Sequence, residues 1–218
     1  MAQRHKFSKS VRAALAVLIA KRATPAARAA RRANHPVHLA EGFEVWHLLE
    51  KALKTPNARL SKLAQPTGDW QHLLRHGGKA TEIVSSRRES GGRKWKLQAI
   101  FTSPLAKRLD HVIKWLDHQD DSDALVRLLV VPKFGLHALW IEEEHSDKVV
   151  LIESTRPILA LKPDVLYPGS QFLKILSEEK IAPMPPLKGN ALKISRQKHS
   201  GDPFEHDHLA RERMGRNR

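Results

Sequence analysis

The chain has 218 residues, 41% of them hydrophobic and five of them Trp, which suffices for one substantial core and excludes wholesale disorder. It contains no Cys, so disulfides, thiolate metal centres and cysteine nucleophiles are excluded. Its 38 Lys and Arg outnumber 23 Asp and Glu, a formal charge of +15 that favours polyanionic partners.

The charge is unevenly placed. Residues 1–40 carry nine cations and no acid, and residues 41–103 carry eleven cations and six acids. Residues 104–182 carry ten against thirteen, and residues 183–218 eight against four. A polyanion would meet the ends and the first half before the rest.

Phe7, Val11, Leu15, Leu18 and Ile19 recur at helical spacing and predict an amphipathic helix. Thr24-Pro25 opens an Ala-rich second helix in which Arg28, Arg31 and Arg32 share one face. These make residues 1–40 a basic helical arm. The apolar run Ala13–Ala20 is too short for the roughly 20 residues that cross a bilayer, so no membrane span is expected. No secretory signal is expected either: the location is cytoplasmic or, because the arm is rich in Arg and Ala and free of acid, an organelle.

Residues 41–77 read as a small helical cluster. Val45, Leu48, Leu49 and Ala52 suggest one helix before Thr55-Pro56, Asn57 caps a short second one, and Trp70, Leu73 and Leu74 suggest a third ending at Gly77-Gly78. The period then changes. Thr81–Ser85 and Trp95–Thr102 flank the turn residues Glu89-Ser90-Gly91-Gly92 and predict a hairpin.

Ser103-Pro104 starts the clearest helix, with Leu105, Leu109, Val112, Ile113 and Leu116 on one face. Leu125–Val131 reads as a central strand buried on both sides, followed by strands at Leu136–Glu142 and Val149–Glu153 in a meander. Ser170–Glu179 suggests a last helix, and residues 183–218 a Pro-containing linker and flexible polar tail. The expected fold is α+β: an antiparallel sheet of about five strands (hairpin, helix, three-strand meander) with N-terminal helices, its domain spanning residues 41–182 and its sheet residues 78–182.

The candidate chemistry is sparse. His199, Glu205, His206, Asp207 and His208 are ligand types on a tail with nothing to fix them, so no metal is expected. His72 and His76 have zinc-ligand spacing but lack the metalloprotease Glu, and His76 suits a helix end. The same doubt covers His35 and His38. Gly77-Gly78-Lys79 is a turn and not a phosphate loop; no cofactor is expected. There is no nucleophile elbow and no catalytic residue to name, so the balance is against an enzyme, with His72 or His137 plus a distant carboxylate as the exception.

Arg87, Arg88, Arg93, Lys94 and Lys96 bracket the hairpin turn beside Trp95. Trp95 would either stack on bases or alternate into the core with Leu97. Together with Arg28, Arg31 and Arg32 these cations predict nonspecific contact with DNA or RNA. The alternative is an adaptor that docks a protein partner through Phe7, Val11, Leu15 and Leu18.

Overall fold

The structure, a computed structural model, describes residues 37–88, 95–119 and 124–179. The chain divides into two units, residues 1–179 and 180–218, and every described residue belongs to the first. The two helices expected before residue 36 and the tail beyond residue 180 lie outside the described residues.

Eight strands form one sheet in the order β4-β3-β2-β1-β5-β6-β7-β8. They are β1 (Val37–His47), β2 (Gln65–His76), β3 (Lys79–Arg88), β4 (Trp95–Thr102), β5 (Leu125–Val131), β6 (Leu136–Glu142), β7 (Asp147–Ser154) and β8 (Leu166–Pro168). The helices are α1 (Leu60–Leu63), α2 (Pro104–Gln119) and α3 (Gly169–Glu178), with short 3-10 turns at Glu50–Lys54 and Pro132–Phe134. Each half of the sheet is an antiparallel meander followed by a helix. The first strands of the two meanders, β1 and β5, meet in parallel at the centre, with Trp46 opposite Leu129.

The expected α+β fold with about five strands is therefore corrected to a sheet-dominated one. The helical cluster at 41–77 is the main error. Glu41–His47 continues β1, and only the 3-10 turn and the four-residue α1 remain helical before β2 begins. The cause is two-sided burial. In β2, Leu73 packs toward α2 while its neighbour Leu74 packs on the opposite face with Val84 and Leu97. Trp70, Leu73 and Leu74 thus imitate the i, i+3, i+4 stripe of a helix although they alternate across a strand. Gly77 and Gly78, expected to close a helix, instead have φ of 55° and 79° and join β2 to β3. Two successive positive φ values make the two-residue turn that matches the twist of an antiparallel pair.

The later elements fall close to expectation. α2 starts at Pro104, β5 and β6 have the expected bounds, and β7 and α3 shift by two residues or fewer. β8 is an addition that the proline-rich segment concealed.

One face of the sheet carries α2. Leu105, Leu109, Val112, Ile113 and Leu116 pack on Phe43, Val45, Leu73, Ile83, Leu128, Leu139 and Val150. Fully burying one such side chain contributes about 1.5–3 kcal/mol, so this layer dominates stability. Arg75 of β2 ties α2 down by donating to Asp110 at 2.7 Å, and Lys114 adds a second bond to Asp110 at 2.8 Å.

On the opposite face of the second meander lies Asp147. It accepts hydrogen bonds from the Trp140 indole at 3.0 Å and the Leu60 amide at 3.0 Å. Its Cβ closely approaches Gly169, so this carboxylate joins β6, β7, α1 and α3.

Candidate nucleic-acid interface

The hairpin expected to carry the cations forms, and it is the outer pair of the sheet. β3 and β4 are antiparallel, with Arg87 opposite Lys96 and Arg88 opposite Trp95, and β4 is the edge strand. Between Ser85 and Ser86 the register slips by one residue, the signature of a bulge that locally increases twist. Arg87, Arg88 and Lys96 are exposed at the loop end of the ribbon. Arg93 and Lys94 belong to the loop, outside the described residues, as do Arg28, Arg31 and Arg32.

Arg87 is engaged at home. It reaches across to β2, where Nε donates to Asp69 Oδ1 at 2.7 Å and Nη2 to Oδ2 at 2.9 Å. The hydrogen bond from Arg87 holds the Asp69 carboxyl below its ordinary pKa, and Gln98 and His47 act in the same direction. Lys96 is paired with none of the described carboxylates. Next to it on β4, Gln98 accepts a hydrogen bond from Ser85 at 2.8 Å.

Trp95 is only half-buried, and its ring meets Trp70 edge-on at 5.7 Å and His72 at 6.4 Å. It packs beside Leu74, Val84 and Leu97. Of the two sequence alternatives, alternation inward with Leu97 describes its position.

His72 and His76 lie on strand β2, not on a helix, and each has a buried partner. His72 Nε2 shares a hydrogen bond with Ser86 Oγ at 2.9 Å. His76 Nε2 donates to Glu82 at 2.9 Å. Burial pushes the His72 pKa down to about 4, so the ring is neutral near pH 7. Each ring is thus held in the core by its Nε2, while among the described residues the buried Nδ1 atoms of His72 and His76 have no hydrogen-bond partner. Among the described residues, no group of three or more His, Asp or Glu is placed to hold a metal ion. His38 is exposed on β1, and His35 and the His-rich tail lie outside the described residues.

His137 does meet a carboxylate. Its Nδ1 is 3.8 Å from Glu153 Oε1 on β7, and Arg108 of α2 approaches the same carboxylate at 4.0 Å. Burial lowers the His137 pKa; Glu153 opposes this and His47 adds to it.

A second cationic arrangement escaped the sequence. The Arg127 guanidinium on β5 lies 4.4 Å from the Trp46 ring centroid and 4.7 Å from that of Trp140. It bonds to Glu142 and sits 3.9 Å from Glu44. Three adjacent strands supply Trp46, Arg127 and Trp140, so only the strand register brings them together. Its side chain is 14% exposed, which makes this a structural cation, not one offered to a ligand.

The described residues hold eighteen Lys and Arg and fifteen Asp and Glu, so +3 of the +15 belongs to them and +12 to the remaining segments. Among the described residues no helix is long and apolar enough to cross a membrane. The chain matches no known protein-family profile, no curated protein and no solved structure.

Proposed function

We propose that the protein is a non-enzymatic, basic binding protein that holds DNA or RNA without sequence preference. The observation that carries this reading is the partition of charge. Among the described residues Arg59, Arg75, Arg87, Arg127, Lys133 and Lys148 face carboxylates, whereas most of the excess positive charge belongs to the ends and the hairpin loop. Cations that release counter-ions from a phosphate backbone supply affinity without base contacts.

On this reading Arg88 and Lys96 at the ribbon end, with Arg93 and Lys94 of its loop, touch one stretch of backbone. Arg28, Arg31 and Arg32 of the arm extend the contact. Arg87 contributes only when Asp69 releases it. Trp95 is not a stacking platform, so single-stranded and duplex ligands bind with similar strength. The protein works where nucleic acid is present, in the cytoplasm or, if residues 1–40 act as an address, in an organelle.

The test is binding of a labelled duplex and an unrelated RNA hairpin to the full chain at low ionic strength. Comparable, salt-sensitive affinity for both is expected. No binding of either at low salt removes the proposal.

A further inference from the structure

A polar row crosses the α2 side of the sheet, starting from the ribbon end. Lys96 stands opposite Arg87, and Arg87 opposite Asp69. Asp69 and Arg87 lie an even number of residues from Leu73 and Ile83, which pack under α2, so they point to the same side. Where the two meanders meet, the row continues. His47, the last residue of β1, is opposite Val130, Val130 is opposite His137, and His137 is opposite Glu153. Val130 packs on the cluster that α2 covers, which places these residues on that side too. Arg108 of α2 reaches the far end, 4.0 Å from Glu153. His47 joins the two halves, since its charge acts on Asp69 and on His137.

We propose that this row is a second stretch of the phosphate-backbone site, in which His47 and His137 bind phosphate in their charged form, so that acid tightens the hold on nucleic acid. The inference rests on the nucleic-acid reading above and adds to it a set of residues and a dependence on pH. Three observations carry it.

The row is open and continuous with the ribbon end. Lys96 and Arg87 are exposed, His47 is half-buried, and the side chains of His137 and Arg108 are 26% and 60% exposed.

His137 has a use for two donors. Its Nδ1 is buried, 3.8 Å from Glu153 Oε1, and has no hydrogen-bond partner among the described residues. The exposed part of the ring is therefore the remainder, where Nε2 lies. A neutral imidazole carries one N–H and the cation carries two. Charged His137 directs one to Glu153 and offers the other outward, where a phosphate oxygen accepts it.

The charge suits an anion only after protonation. Lys96, Arg87 and Arg108 against Asp69 and Glu153 leave one net positive charge, and two charged imidazoles raise this to three. Burial holds the His137 pKa down, Glu153 opposes this, and His47 adds to it. A phosphate at Nε2 acts in the same direction as Glu153. Binding then favours the proton, and by linkage the proton favours binding to the same degree.

Fluorescence anisotropy of a labelled duplex with the full chain, at one ionic strength and at pH 7.5 and 5.5, tests this. The lower pH stays above the His72 pKa of about 4, so that buried ring remains neutral. Acidification should raise affinity about 10-fold, and His47→Gln/His137→Gln should lose most of that rise. His111→Gln removes an exposed imidazole that α2 directs at Asp164, and should retain it. An equal rise in the double variant and the unaltered chain overturns the inference while leaving nucleic-acid binding intact. No binding at either pH overturns the reading beneath it as well. Independently of any variant, an NMR titration of the His137 ring should move to higher pH when duplex is added, and less with inorganic phosphate at the same phosphate concentration. No upward movement overturns the role of His137, and an equal movement with inorganic phosphate overturns the assignment to a nucleic-acid backbone.

Discussion

Arg87 and Asp69 face each other across β3 and β2 and meet at two points, 2.7 Å and 2.9 Å apart. A guanidinium held this way has both of its forward donors committed, and a phosphate must compete with a carboxylate that is already aligned. The pair therefore restrains the ribbon as a binding surface. Asp69→Asn should free Arg87, tighten duplex binding at low salt, and steepen the salt dependence by about 0.9 in log–log slope, the increment for one added phosphate contact. Fluorescence anisotropy across a salt series checks this; an unchanged slope would mean that Arg87 lies away from the bound strand.

Arg127 is the cation whose loss the fold should feel most. Its ring contacts and ion pairs lie between strands, so Arg127→Ala leaves Glu44 and Glu142 facing each other without a countercharge and opens space between Trp46 and Trp140. Breaking a partly buried pair by removing one partner costs about 3–5 kcal/mol, and the exposure here favours the lower end. Arg127→Lys should recover less than half, because an ammonium cannot lie flat between two indoles. Urea denaturation of both variants measures the difference.

His72 makes stability depend on pH in a defined direction. Its folded pKa is about 4 against an ordinary 6.5, so the unfolded chain binds the proton more readily. The contribution is complete above pH 6.5 and is lost as pH falls toward 4, and the span corresponds to about 3 kcal/mol. His137, whose pKa burial also lowers, adds loss of the same sign. His72→Gln should flatten the decline between pH 7 and pH 5 without abolishing it. Denaturant midpoints at the two pH values decide; an undiminished slope would show that His72 is not its source.

Gly135 should tolerate nothing larger. Its φ is 55°, and a Cβ there would lie 2.0 Å from Thr155 Oγ1. Left-handed strain of about 1–2 kcal/mol and overpacking of about 1–3 kcal/mol act together, so Gly135→Ala should lose roughly 2–5 kcal/mol. Gly78→Ala, at φ 79° with nothing within 4 Å, should lose only the strain. Thermal melts of the two variants separate the clash from the backbone term.

What the sequence reveals follows from how many faces each element buries. α2 is readable because it buries a single stripe, Leu105 to Leu116, and starts at a proline. β5 is readable because its run of apolar residues is strand-length and bounded by turn residues. β2 misleads because it buries both faces, and Leu73-Leu74 then simulates a helical stripe; Val45 at the end of β1 and Leu48, Leu49 and Ala52 beyond it do the same across a strand end and a 3-10 turn. That error spread to the site: with β2 taken as a helix, Asp69 has no cross-strand neighbour, and only the strand register places it opposite Arg87. The Arg127 cluster was hidden for the same reason, since Trp46, Arg127 and Trp140 are far apart in sequence. The hairpin itself was legible because two β-rich segments flank a glycine pair, and it correctly grouped Arg87, Arg88 and Lys96 at one end.

The most direct measurement is the salt dependence of duplex binding for the full chain beside Arg88→Gln/Lys96→Gln. If the ribbon end neutralises phosphates, log Kobs falls linearly with log salt, and the double variant is shallower by about 1.8, at about 0.9 per cation. Parallel lines for the two proteins would contradict the account, because the ribbon would then lie outside the contact whatever the arm does.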